Sequence, residues 1–145
     1  MLKRILVATD FSRSADVAWH FAVDLASAQG AELILLHVAM PPPSGAPHAA
    51  LRDHQRNIAN AQRQVAERVG RATSRRVTPR GLVATGEPVS VIVTTATANG
   101  ADLIVVGSHR LADPTAVLVG SAAERLVRAA SCAVLVMKTS VSEAA

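Results

Sequence analysis

Five short apolar runs, at residues 5–9, 33–39, 77–85, 102–106 and 133–137, are separated by stretches long enough for helices or crossover loops. That spacing predicts the order βαβαβαβαβ. Parallel neighbours need a long, right-handed return, so strict alternation implies a mainly parallel sheet with helices on both faces. The uninterrupted apolar run at 33–39 fits this picture, since a strand covered on both sides has no polar face to alternate with. The expected fold class is therefore α/β, a doubly wound five-stranded sheet in a single domain.

The segments between the runs read as helices for separate reasons. Ser12 or Ser14 can cap a helix that continues to about Gln29, with Ala18, Phe21, Ala22 and Leu25 on one face and Gly30 as its stop. From about His48 to Thr73 the composition turns to Ala, Gln, Arg and Glu, with Ile58, Ala61, Val65 and Val69 as an inward stripe. Gly86-Glu87-Pro88 makes a turn with proline in the first helical turn, and residues 89–99 follow as a short helix. A fourth helix is expected at 120–130. Pro41-Pro42-Pro43-Ser44-Gly45 marks a surface linker within 41–50, and 139–145 reads as a flexible tail.

With 145 residues the chain suits one domain with a sizeable core, and Trp19, Phe11 and Phe21 are its only aromatics. No apolar run approaches the roughly 20 residues that span a bilayer, and strand-like sequence begins at once, so a cytoplasmic protein without a signal peptide is expected. A single cysteine, Cys132, agrees with a reducing compartment and reads as a small apolar side chain beside the last strand. The net charge of +4 is accompanied by few rings for base stacking. Arg63, Arg68, Arg71, Arg75, Arg76 and Arg80 crowd one stretch, but Gln62, Gln64 and Glu67 are interleaved, the pattern of a solvated helix face. Neither nucleic acid nor a membrane is an expected partner.

The chemistry concentrates near the fourth strand. Leu103-Ile104-Val105-Val106 runs into Gly107-Ser108, and a second Gly-Ser, Gly120-Ser121, opens the last helix. Glycine lets an anion approach the main chain, and the unpaired amides of a helix start favour negative charge, so this pair reads as a phosphate cradle. In doubly wound sheets, ligands sit beyond the carboxyl ends of the strands where the winding reverses. Asp10, Val38 and Gly107 fall at or just past such ends and can share one ligand.

These residues resemble the universal stress protein family, many of whose members bind ATP, over nearly the whole length. Thr9-Asp10-Phe11-Ser12, Leu36-His37-Val38, Gly86 with Pro88, the run from Ala101 to Ser108, and Gly120-Ser121-Ala122-Ala123-Glu124-Arg125 stand in the family's order. The resemblance implies strand order 3-2-1-4-5 and ATP, with Mg²⁺, as the bound cofactor. It also implies that Asp10 approaches the ribose or base, that main-chain groups of Val38 recognise adenine, and that Val106, Gly107, Gly120, Ser121 and Ala122 surround ribose and phosphates. Ala8 and Thr9, beside Asp10, complete the expected set. The family's signature is Gly, two residues, Gly, nine residues, then Gly-Ser or Gly-Thr; Gly107, Gly120 and Ser121 keep the spacing while Arg110 replaces the second glycine.

The replacement has two opposed consequences. Where the backbone must take a positive φ or lie against phosphate, a Cβ costs on the order of 1 kcal/mol or more and a guanidinium crowds the site. Arginine is also the side chain best suited to bidentate phosphate contact. The residues thus admit an ATP-binding regulator and, alternatively, a family member without ATP that acts as a dimeric interaction module. Asp113-Pro114 in the same loop is a further departure.

Other chemistries lack their residues. A phosphoacceptor domain needs an acidic pair after strand one, whereas Asp10 is alone; the P-loop and dinucleotide glycine patterns and the Gly-x-Ser-x-Gly elbow are missing. His37 reads as a hydrogen-bonded core or edge residue, and only His109, in the phosphate loop, is a candidate for function. No catalytic base is expected, Glu124 reads as a helix-surface or capping-box residue, and hydrolysis is expected to be slow at most. The last strand would form the sheet edge, which the resemblance implies is the homodimer interface.

Overall fold

The computed structural model describes residues 2–108 and 121–138. Its elements follow the expected alternation: β1 (Arg4–Ala8), α1 (Arg13–Gln29), β2 (Glu32–Ala39), α2 (His48–Ala72), a short 3-10 turn (Thr73–Arg75), β3 (Thr78–Thr85), α3 (Pro88–Ala98), β4 (Leu103–Gly107), α4 (Ser121–Ala129) and β5 (Ala133–Met137). All strands are parallel, in the order β3-β2-β1-β4-β5. Both the fold class and the strand order agree with the sequence reading.

Two cores explain why β1, β2 and β4 are apolar over most of their length. Ile5, Val7, Leu33, Leu35, Leu103 and Val105 point to the face covered by α1 and α2, where they meet Trp19, Val23 and Val65. The residues between them, Leu6, Ile34, Leu36, Ile104 and Val106, meet Val89, Ile92, Ala96 and Leu126 beneath α3 and α4. Successive side chains on a strand point to opposite faces, so a two-sided sheet needs an apolar residue at every position. Among the described residues, no helix is long and apolar enough to cross a membrane.

Capping fixes the helix bounds. The Ser12 side chain accepts from Ala15 N and caps α1, while Gly30, in the left-handed region at φ 67°, ends it. Ser14 is buried and is not the cap. The expected inward face of α1 holds at Ala18 and Ala22, which are buried, and at Leu25, which packs partly buried on the core, but is corrected at Phe21, which is 41% exposed; the other buried apolar residues are Ala15, Trp19, Val23 and Ala26. Turning the helix toward Trp19 buries the larger ring, and Phe21 lies outside that stripe. On α2 the expected stripe is shallower, with Ala61 and Val65 buried and Ile58 and Val69 half-buried. Asp102 precedes β4 and pins the other end of the sheet, accepting from Lys3 N at 2.7 Å and Arg4 N at 3.0 Å. These backbone donors hold its carboxyl below the ordinary value.

Candidate functional site

Strand register creates the site. β1 pairs with β2 as far as Ala8 with Leu36, and with β4 as far as Ala8 with Val106, but β2 and β3 continue to Ala39 with Thr85. The central strand therefore stops while its neighbour runs on. Thr9 extends the ladder by one bond, its N–H donating to Leu36 O at 2.9 Å, and Ala39 O accepts from Gly86 N at 3.0 Å on the opposite side. Backbone groups along a strand alternate in direction, so the N–H and C=O of Val38 point the same way as those of Leu36, toward β1, beyond the last β1 residue. Val38 thus presents main-chain polar groups to a notch in the sheet end.

The chain leaving β1 turns sharply beside this notch. Thr9 is buried; its hydroxyl accepts from Phe11 N at 2.9 Å and its carbonyl meets His37 Nδ1 at 2.8 Å. A carbonyl can only accept, so Nδ1 of His37 carries a proton. Asp10 is exposed, and one of its carboxylate oxygens accepts from Ser12 N at 3.0 Å. This bond is the local turn role open to any aspartate here, and it uses one oxygen of two. Phe11 adopts φ 64°, a left-handed conformation that costs a non-glycine residue about 1–3 kcal/mol. Contacts on its ring offset that strain: the His37 imidazole stacks at 4.5 Å between centroids, and the Arg68 guanidinium lies 5.0 Å from the ring centre.

Gly107 forms the opposite wall, and its glycine has a packing cause. A Cβ there would stand 2.5 Å from Ser14 C, 2.6 Å from Ala15 N and 2.7 Å from Ser14 O, all backbone atoms of the first turn of α1. Close helix approach alone demands glycine at this strand end. Next to it, Ser108 N donates to Met137 O at 2.9 Å, tying the exit of β4 to β5. Ala8, Val38 and Ala122 all pack on the cluster that contains Val106, so strand ends and the start of α4 share one apolar floor. Ser121 is the first residue of α4.

The β3–α3 turn follows the ends of β2 and β3, its Gly86 N bonded to Ala39 O. Glu87 caps α3, accepting from Ser90 N at 2.8 Å and Val89 N at 3.3 Å, and also accepts from Arg125 Nη2 of α4 at 3.1 Å. The Ser90 amide, followed by the Arg125 guanidinium, holds its carboxyl below the ordinary value of 4.5. Among the described residues no group of three His, Cys, Asp or Glu side chains could hold a metal ion.

Of the residues expected at the site, Ala8, Thr9, Asp10, Val38, Val106 and Gly107 gather at this sheet end, and Ser121 and Ala122 open the adjoining helix. Arg110 and Gly120, like His109 and Asp113-Pro114, lie outside the described residues. Sequence reasoning missed Arg68, which it placed on a solvated face: its side chain is only 18% exposed and grips Asp16 of α1 at 2.8 Å. It also missed the contact of Phe11 with His37. Residues 11, 37 and 68 have no motif spacing, because strand pairing and a helix crossing bring them together.

Comparison with known proteins gives one consistent answer. The sequence model described as the Universal stress protein family matches residues 1–138. A universal stress protein of Thermus aquaticus is 33% identical over 144 residues, covering 95% of this chain and 100% of its own length. Among solved structures, universal stress protein UspA from Lactobacillus plantarum is 26% identical with a TM-score of 0.84, covering 94% of this chain and 97% of that one. A universal stress protein solved in complex with cAMP is 28% identical with a TM-score of 0.75, covering 96% of this chain and 99% of that one.

Proposed function

Because this chain belongs to the universal stress protein family, we propose that it is a cytoplasmic stress-response regulator that binds ATP at the notch beyond β1 and acts as a homodimer. One observation supports the reading: β1 stops at Ala8 while β2 runs on to Ala39, so the main-chain groups of Val38 lie beyond the last β1 residue, at the sheet end that also carries Asp10 and Gly107. An adenine edge presents a donor and acceptors, so a peptide group can read it, and a carboxylate accepts from ribose hydroxyls. Ala8, Thr9 and Val106 floor this end, and Gly107, Gly120, Ser121 and Ala122 would surround the phosphates, the helix start favouring negative charge. Arg110 would add a charged contact to them. That a relative of similar fold takes cAMP supports an adenine nucleotide as ligand.

Magnesium would enter with the nucleotide and keep several waters, a mode that needs no cage of protein carboxylates. ATP would be a regulatory ligand with at most slow hydrolysis. The homodimer would form through β5, which ends the sheet and, among the described residues, pairs with a strand on one side only.

A second reading keeps the dimer and drops the nucleotide. Two observations favour it: Arg110 stands where the signature has glycine, and Gly107 is already required by the packing of α1. Calorimetric titration of nucleotide-free protein with ATP and Mg²⁺ decides between them. Heat and a thermal upshift are expected. Silence at saturating nucleotide, with binding recovered in Arg110→Gly, would instead assign the chain to the second reading.

A further inference from the structure

The turn that carries Asp10 is held from outside the sheet. Arg68, on the second turn from the end of α2, reaches α1 and makes a two-point contact with Asp16: Nε to Oδ1 at 2.8 Å and Nη2 to Oδ2 at 3.2 Å. Its remaining terminal nitrogen, Nη1, donates to Gln64 O at 3.3 Å, and its guanidinium lies 5.0 Å from the centre of the Phe11 ring. A planar fork suits this arrangement because the same group can bind a carboxylate edge-on and face a ring.

A neighbouring pair provides the contrast. Arg75 also crosses to α1, pairing with Asp24 at 2.6 Å, but both side chains are more than half exposed, and Asp24 lies eight residues beyond Asp16 along the helix. Arg75 thus pairs toward the far end of α1, away from its first turn. The Arg68 pair has side chains 18% and 37% exposed and is placed at the first turn of α1, whose Ser14 and Ala15 abut Gly107. It therefore bears on both flanks of the notch.

We propose that Arg68 is a positioning residue for the nucleotide site: through the Phe11 ring and the Asp16 carboxylate it holds the turn of residues 9–12, and with it Asp10, in the geometry that receives the ligand. This rests on the ATP-binding reading above. Phe11 is left-handed and stacked on His37, His37 is bonded to the Thr9 carbonyl, and Asp10 is bonded to Ser12 N. Loosening the ring from the guanidinium frees the strained residue at the centre of that chain of contacts.

The test uses the full chain, nitrogen-labelled, without nucleotide and then with ATP and Mg²⁺. Arg68→Met should speed amide exchange at Phe11 and Ser12 and displace the His37 ring resonances. It should also weaken ATP binding about tenfold, the change that roughly 1.4 kcal/mol produces. Arg68→Lys, with charge but no fork, should recover part of each change, and Arg75→Met should alter neither. Phe11→Leu, which keeps apolar volume but removes the ring, should reproduce the loosening even if Arg68→Met folds poorly. Equal effects of Arg68→Met and Arg75→Met, or unchanged exchange in Arg68→Met and Phe11→Leu, would overturn the proposal. If the wild-type chain takes up no ATP, the binding reading falls, while exchange and His37 resonances still decide whether Arg68 holds the turn.

Discussion

Glycine at position 107 has two possible masters, a ligand and a helix, and the geometry lets them be separated. The contacts that a Cβ would make there are with backbone atoms, which cannot swing aside as the end of a long side chain can. Gly107→Ala should therefore destabilise the nucleotide-free protein by about 1–3 kcal/mol, the cost of overpacking a close contact. Urea unfolding without ligand measures it, and an unchanged midpoint would return this glycine to phosphate binding alone. Sequence reading gave this glycine a ligand reason only, and the structure adds a packing one. The packing reason depends on how closely α1 approaches β4, a distance that no local pattern encodes. Asp10 is similar: its turn role was foreseeable from residue type, whereas its place beside a truncated strand required the register.

At the scale of elements, most of the fold was legible because β1, β2, β4 and β5 are apolar over most of their length and α1 and α3 carry their own stop or start. Ser12, Gly30 and Pro88 act within a few residues of themselves, so their meaning survives without tertiary context. The buried face of α1 was less legible, since Ala-rich helices offer several stripes and only the sheet decides that Trp19 goes in and Phe21 out. The cap of α3 supports a prediction about pH. Glu87 is held below its ordinary value of 4.5, so its charged form stabilises the folded chain; that contribution is complete above 4.5 and is lost as pH falls through the lowered folded value. Glu87→Gln, which does not ionise, should lower the urea midpoint at neutral pH, with the difference from wild type shrinking as the solution becomes more acid than 4.5. A constant difference across that window would mean that the cap works by geometry without charge.

For the molecule as a whole, the edge position of β5, which among the described residues has a strand neighbour on one side only, is the feature with most bearing on assembly. Val134, Leu135, Val136 and Met137 are each half-buried in the single chain, as expected of a strand with a neighbour on one side only. A charged residue on such a strand is a common device against pairing. Val136→Lys should give a monomer in light scattering under conditions where the wild-type chain is dimeric, and a monomeric wild type would remove the β5 interface from the proposed function. The three predictions address separate parts of the molecule, since strand end, helix cap and sheet edge share no side chain.

The early stop of β1 has one further consequence. A visitor seated there would be greeted by peptide groups, which every amino acid contributes alike, so recognition of this kind is indifferent to what the residue at 38 carries. Only bulk could offend. Drift in side-chain identity along that rim would leave the proposed reading of a base intact, and under that proposal a sequence could wander far while its selectivity stayed where the shortened strand had put it.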